Sequence, residues 1–278
     1  MVFTKNPIIK TFNQHDQQQA GPITSSPLLF RFSSLEYFKE LTHGVFSRQG
    51  GISQPPYDSL NTSYQTGDSP EHVKNNLALI QEILGADQLF FSRQIHGRHI
   101  LILDQVAPDR TMHNIEADAF ITTTPNLALM IKLADCQGTI LFDPKQNVLA
   151  VVHCGWRGHV KDIYGHVVEK MTKNFDCNPT EIHAAISPSL GPCCAEFKTY
   201  RELFPESFLD FMERECYFNL WELGKQQLIQ AGLSRQNVET AGICTKCRKD
   251  LFYSYRREAQ TGRFAIVAML KGKEVFPY

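Results

Sequence analysis

The sequence has no long apolar run, no strong charge of either sign, no internal repeat and no break in composition, and each absence removes a class of explanation. Its apolar stretches are short, Ala265 to Leu270 being among the longest, far below the ~20 residues a bilayer-spanning helix needs. The opening MVFTKNPIIKTFNQHDQQQAG lacks the continuous apolar segment of a secretory signal, so a cytoplasmic protein is expected. A formal net charge of −1 and a pI near 6.8 provide no whole-molecule field for nucleic acid or an anionic membrane, and neither is expected as a partner. Any anion must then be held by a local arginine cluster. Without a fixed-period repeat or a long linker, residues 1–278 read as one domain. Residues 1–26 are expected to form a loosely held arm, with a hairpin loop as the alternative for the polar, turn-rich 13–26.

What is present is an ordinary globular composition, 42% hydrophobic and 21% charged, large enough to bury a substantial core. A chain of this kind needs no disulfide staples, so its eight cysteines read as thiols. Six of them fall in short turn-like segments (DCQG, HCG, GPCC, CTKC), which points to a site rather than a scaffold; Cys177 and Cys216 look incidental.

Strand-like runs recur at 28–32, 44–47, 89–94, 127–133, 139–142, 148–153, 182–186, 238–243 and 264–270, several of them apolar throughout as buried strands are. Val73, Leu77, Ile80 and Leu84 follow the start signal Asp68-Ser69-Pro70 at helical spacing. Val160, Ile163, Val167, Val168 and Met171 repeat the pattern, and a third helix is expected over 219–230. Three strands in succession between 127 and 153 exclude strict βαβ alternation. The expected fold is therefore α+β, a layered sandwich of mixed sheets flanked by helices.

Three separated stretches carry the chemistry: His96 in RQIHG, Cys136 in ADCQGTILFDP and His153 in VVHCGWRG. Two imidazoles and a thiolate form a donor set suited to zinc, and three protein ligands leave a fourth position open, as in catalytic sites. Copper binds the same donors tightly and is the alternative metal. A cysteine nucleophile with a histidine base is the alternative chemistry, that of a Cys-His hydrolase. Cys244 and Cys247 have CxxC spacing, but a zinc ribbon needs a second such pair and none is seen, so they read as packed or incidental thiols, with a redox dithiol as the alternative. Cys193 and Cys194, in a Gly-Pro turn, are expected to line or support the site.

In order along the chain, SRQGG, PPYDSLN, RQIHG, EADAFIT, ADCQGTILFDP, VVHCGWRG, ISPSLGPCC, FYSYRRE and TGRFA resemble the laccase-domain family, long labelled multicopper polyphenol oxidoreductase and more recently viewed as zinc-dependent purine nucleoside enzymes. The resemblance runs from about His43 to Leu270, and it implies that His96, Cys136 and His153 bind the metal. It also implies phosphorolysis of adenosine, inosine, guanosine and methylthioadenosine, together with deamination of adenosine; copper-dependent phenol oxidation is the competing reading. The ten histidines are scattered, with few of the clustered pairs a multicopper oxidase needs. The zinc deaminase pattern HxE with PCxxC is missing as well, so deamination would need another constellation. Two positions depart from the family pattern: Cys154, where alanine is usual, and Ala195, where an aromatic is common.

Phosphorolysis requires a grip on phosphate, for which the guanidinium fork is suited. Arg48, Arg157, Arg256, Arg257 and Arg263 lie in the family-like segments, and Arg48, beside Gly50-Gly51, and Arg157, between Trp156 and Gly158, are preferred. Asp135, adjacent to Cys136, is the first candidate for proton transfer or for orienting a ligand, and Asp118 the second. Phe46, Tyr57 and Trp156 are candidates for stacking on a base. The oligomeric state is left open.

Overall fold

The computed structural model describes residues 8–11, 26–103 and 115–272. In chain order its strands are β1 (Ile8–Thr11), β2 (Leu28–Arg31), β3 (Leu41–Phe46), β4 (Gln88–Phe90), β5 (Ile100–Ile102), β6 (Ala119–Thr122), β7 (Leu127–Leu133), β8 (Gln137–Asp143), β9 (Val148–Cys154), β10 (His183–Ile186), β11 (Met212–Arg214), β12 (Tyr217–Phe218), β13 (Val238–Thr240) and β14 (Phe264–Leu270). The helices are α1 (Ser33–Glu36), α2 (Pro70–Leu84), α3 (Trp156–Val160), α4 (Ile163–Phe175), α5 (Tyr200–Leu203) and α6 (Leu220–Gln230). Two mixed six-stranded sheets form, in the orders β1-β2-β3-β14-β7-β4 and β13-β10-β8-β9-β6-β5, beside a small β11-β12 ribbon.

The apolar strands are continuous because both of their faces are covered. Along β14, Phe264, Ile266, Ala268 and Leu270 point between the sheets toward Ile140, Phe142, Leu149 and Val151. The alternate residues Ala265, Val267 and Met269 pack on Val73, Leu77, Ile80 and Leu84 of α2. Along β9, Leu149 and Val151 face the inter-sheet core, while Val148, Ala150, Val152 and Cys154 meet Val167, Val168 and Met171 of α4 and Leu228 of α6. The layers are helix, sheet, sheet, helix, and the expected α+β sandwich of mixed sheets is the observed one. A fourth apolar cluster, built from Phe197, Tyr200, Phe204, Phe208 and Phe218, lies at the β11-β12 end.

Several boundaries differ from the sequence reading for physical reasons. The stripe from Val160 to Met171 is two helices, broken at Asp162, which adopts a left-handed φ of 51° and accepts the Gly165 N–H at the start of α4. Val160 itself is exposed. The run expected over 238–243 leaves the sheet after Thr240, and the one over 89–94 after Phe90. β5 and β6 were not anticipated, being only three and four residues long. The loop expected over 13–26 lies almost wholly outside the described residues; β1 and β2, which flank it, pair in parallel. No helix among the described residues is long and apolar enough to cross a membrane.

Candidate functional site

The strand parity that fills the core also builds the site. His153 is in phase with Leu149 and Val151, and Cys136 precedes β8 in phase with the inward Ile140 and Phe142, so both side chains reach the end of the inter-sheet gap. His153 pairs across the ladder with Gly138, where a Cβ would come within 2.4 Å of Ile266 and 2.7 Å of Leu133; the residue must be small for the sheets to close there. His96 arrives from the loop after β4 with φ 56°. The ligand atoms of His96, Cys136 and His153 lie within 4.8 Å of one another, and the two imidazoles meet edge to face at 4.8 Å between centroids.

Asp118, fully buried at the start of β6, holds this arrangement. Its Oδ1 is 2.8 Å from His153 Nδ1 and accepts the His96 N–H at 3.0 Å, while Oδ2 accepts the Gly97 N–H at 2.7 Å. A carboxylate only accepts, so His153 Nδ1 carries the proton and Nε2 is left for a metal. Burial works against ionisation of Asp118, yet the His153 hydrogen bond and charge and the two N–H groups hold its pKa below the usual value. Burial likewise opposes charge on Cys136 and His153, but their mutual attraction wins: the thiol is lowered to about 6, with help from His96, and the imidazole is raised to about 9. Two nitrogens, one ready thiolate and an anchoring carboxylate fit a borderline-soft divalent ion such as zinc. Cys154 does not join them. It belongs to the layer under α4, and burial raises its thiol well above the ordinary value.

The triad opens into a cleft of about 440 Å³, within the range of small-molecule sites. Trp156, Phe197 and Tyr255 supply aromatic walls, and Lys132, Arg157, Arg256 and Arg263 supply positive charge. Burial, followed by the nearby Arg263, lowers Lys132 to about 8, and burial lowers Arg263 too. Neither cation forms an ion pair among the described residues. His159 also lines the cleft; its Nδ1 meets Gln227 Oε1 at 2.7 Å, and its buried Nε2 has no hydrogen-bond partner.

The other expected residues are placed unevenly. Arg157 borders the cleft, its guanidinium 4.2 Å over the Trp156 ring. Arg48 does not border it: Nε donates to the Asp58 carbonyl, Nη1 to that of Lys249, and Nη2 pairs with the Asp58 carboxylate. Arg257 is occupied by the carbonyls of Thr245, Lys246 and Phe252. Asp135 lines the cleft with φ 95°, but both carboxylate oxygens are engaged, Oδ1 by the Thr245 hydroxyl at 2.7 Å and Oδ2 by the Arg256 N–H at 2.6 Å. Phe46 is core beneath α2, and Tyr57 is buried away from the cleft, leaving Trp156 as the stacking candidate that reaches it. Cys193 and Cys194 do not line the cleft; they gather with Cys244 and Cys247. Lys132, Tyr255 and Phe197 were missed by sequence reasoning. A lysine inside the apolar run LALMIKL was the one available signal, since a charged side chain is rarely set in a buried strand without a task.

Comparison with known proteins bears on the family and the fold. Residues 42–271 match the family described as multi-copper polyphenol oxidoreductase laccase. A purine nucleoside phosphorylase of Deinococcus radiodurans is 34% identical over 244 residues, 84% of this chain and 90% of that one. Another, from Bacteroides thetaiotaomicron, is 29% identical over 84% of this chain and 93% of its own. Among solved structures, the Bacillus licheniformis hypothetical protein YfiH superposes with a TM-score of 0.79 at 30% identity, covering 89% of this chain and 97% of that one. YlmD from Geobacillus stearothermophilus gives 0.77 at 28%, with 84% and 93% covered.

Proposed function

Because the chain belongs to the multi-copper polyphenol oxidoreductase laccase family, and relatives in it are named purine nucleoside phosphorylases, we propose that it is a zinc-dependent purine nucleoside enzyme of the cytoplasm. It cleaves adenosine, inosine, guanosine and methylthioadenosine with phosphate, giving the free base and the (methylthio)ribose 1-phosphate, and it deaminates adenosine to inosine. The observation that carries this reading is a His-Cys-His triad, fixed by a buried carboxylate, at the end of a cleft lined by half-buried cations that form no ion pair among the described residues. Copper oxidase chemistry is disfavoured by ligand supply. Among the described residues one cluster contains histidine, whereas several imidazole-rich centres are needed to house several coppers.

A zinc ion held by His96, Cys136 and His153 would supply Lewis acidity, polarising an oxygen or activating water at neutral pH. The remaining work falls to the chain. Lys132 and Arg263, with Arg157 at the mouth, hold phosphate, since two half-buried cations without a salt-bridge partner among the described residues gain from an anion. Trp156 and Tyr255 stack on the purine. Asp118 keeps His153 in one tautomer. Asp135, with both oxygens occupied, positions Arg256 and the Thr245 loop rather than carrying a proton.

The deciding experiment incubates the zinc-loaded protein with adenosine, with and without phosphate. Adenine and ribose 1-phosphate are expected only with phosphate, and inosine with ammonia in both arms; no product in either arm would sink the proposal. Cys136→Ala should lose the metal and both activities. Lys132→Met should raise the phosphate KM about 10- to 100-fold, the scale of a lost charged hydrogen bond, with little change in the nucleoside KM.

A further inference from the structure

The four cysteines outside the cleft meet because two loops run side by side. β10 and β13 pair in parallel, and their pairing continues beyond the strand ends through a bridge between Ser189 and Cys244. Ser189 N–H donates to the Ile243 carbonyl at 3.2 Å, and Thr245 N–H donates back to Ser189 at 3.0 Å. The next residues of each loop turn toward the other, the Cys194 and Ala195 N–H groups closing on the Gly191 carbonyl at 2.9 Å and the Arg248 N–H on that of Cys244 at 3.0 Å. All four sulfurs come within 4.8 Å of one another, with Cys247 Sγ 3.6 Å from both Cys193 Sγ and Cys194 Sγ. The adjacent pair 193–194 is thus the partner that the CxxC pair lacks in sequence.

We propose that Cys193, Cys194, Cys244 and Cys247 bind a second zinc ion in a closed tetrathiolate site, separate from the His96, Cys136, His153 triad. Zinc–sulfur bonds of about 2.3 Å place tetrahedral sulfurs about 3.8 Å apart, close to the observed spacing. The four are free thiols, and binding replaces up to four S–H protons by one dication without any change of oxidation state. Cys244 Sγ receives the Gly191 N–H at 3.3 Å, the kind of donor that stabilises a metal-bound thiolate. Four thiolates and a dication leave a net double negative charge, and Arg257 on the Thr245 and Lys246 carbonyls, with Arg214 on the Cys193 carbonyl, lies close enough to offset it.

Four protein ligands leave no open position, which makes the ion structural. It would clamp the two loops that hold Asp135: the Thr245 hydroxyl reaches its Oδ1, and the Leu190 N–H reaches its carbonyl at 2.8 Å. Asp135 adjoins Cys136, so the clamp braces one wall of the cleft.

The test is metal content by mass spectrometry on the full chain, purified under reducing conditions with zinc supplied. Two zinc ions per chain are expected; Cys193→Ser/Cys247→Ser should hold one, Cys136→Ala one, and the combined variant none. Failure of the triad reading shows as no loss in Cys136→Ala, and failure of this one as no loss in the paired serine variant. Should that variant not fold, cobalt replacement in the unaltered protein decides: near-ultraviolet thiolate-to-cobalt charge transfer several times that of one thiolate is expected, and one-thiolate intensity overturns the site. Iron in place of zinc, or a disulfide among the four cysteines in the reduced preparation, overturns it as well.

Discussion

At position 155 a methyl group has nowhere to go. A Cβ there would lie 2.8 Å from Cys136 Sγ and 3.4 Å from His96 Cδ2, while the backbone φ of −89° suits any residue, so the demand for glycine is purely one of space beside the triad. Gly155→Ala is therefore expected to fold with near-normal thermal stability yet lose most of its metal; an alanine variant with full occupancy would show that the triad does not close as described. Asp118→Asn probes the support. An amide turns one N–H toward the His96 or Gly97 donor and no longer fixes the His153 tautomer that offers Nε2, so zinc affinity, measured by competition with a chromogenic chelator, should fall about 10- to 100-fold. At this scale the sequence was legible where chemistry sits at the ends of apolar runs, as with Cys136 and His153. It was illegible where a role depends on a neighbour remote in the chain. Arg48 and Arg263 look alike as letters; one is absorbed by Asp58, and the other reaches the cleft. The four-cysteine cluster escaped for the same reason, since adjacent cysteines do not read as a ligand pair until the fold sets them against 244 and 247.

At the scale of elements, α2 does more than cover a sheet. Its Asn76 is buried and donates to Ser53 Oγ and to the carbonyls of Ser59 and Asn61, while its Oδ1 accepts the Ile52 N–H at 3.0 Å. One side chain thus fastens the loop 51–61 to the helix, and that loop leads to Ser63 and Gln65 at the cleft. Asn76→Ala leaves several buried groups unsatisfied, at about 1–3 kcal/mol each, so a loss of at least about 3 kcal/mol is expected as a lower urea midpoint with unchanged slope. A loss below about 1 kcal/mol would mean that water or a shifted loop replaces the asparagine. The start of α2 was readable from Asp68-Ser69-Pro70, but the residue that ties it to the site looks like one more polar position in an amphipathic stripe. β7 and β14 were readable to the residue because runs with six and seven apolar positions admit one interpretation once both faces are covered. The break between α3 and α4 was not, because apolar spacing continues across a single left-handed residue that periodicity does not register.

At the scale of the molecule, packing a sandwich on both faces buries polar groups in a neutral state, and that sets its response to acid. His43 in β3 accepts the Phe32 N–H at 2.9 Å on Nε2, and burial, then Arg31, lowers its pKa from 6.5 to about 3. His159, between the cleft and α6, is lowered by burial from 6.5 to about 4. In the unfolded chain both take a proton near pH 6.5, whereas in the folded chain they do not until about pH 4 and below. The unfolded state therefore binds more protons across this window, and stability, complete above pH 6.5, must fall as the pH drops through it. Each histidine steepens the dependence by up to about 1.4 kcal/mol per pH unit. His43→Gln retains an acceptor for Phe32 without a titrating group, so its stability should decline less steeply between pH 6 and 4 in urea melts at fixed ionic strength (about one proton fewer taken up on unfolding). Parallel slopes for the two proteins would mean that His43 titrates normally in the folded state, and hence that the edge of the inter-sheet core admits water which the packing around Phe32 and Val45 is taken to exclude.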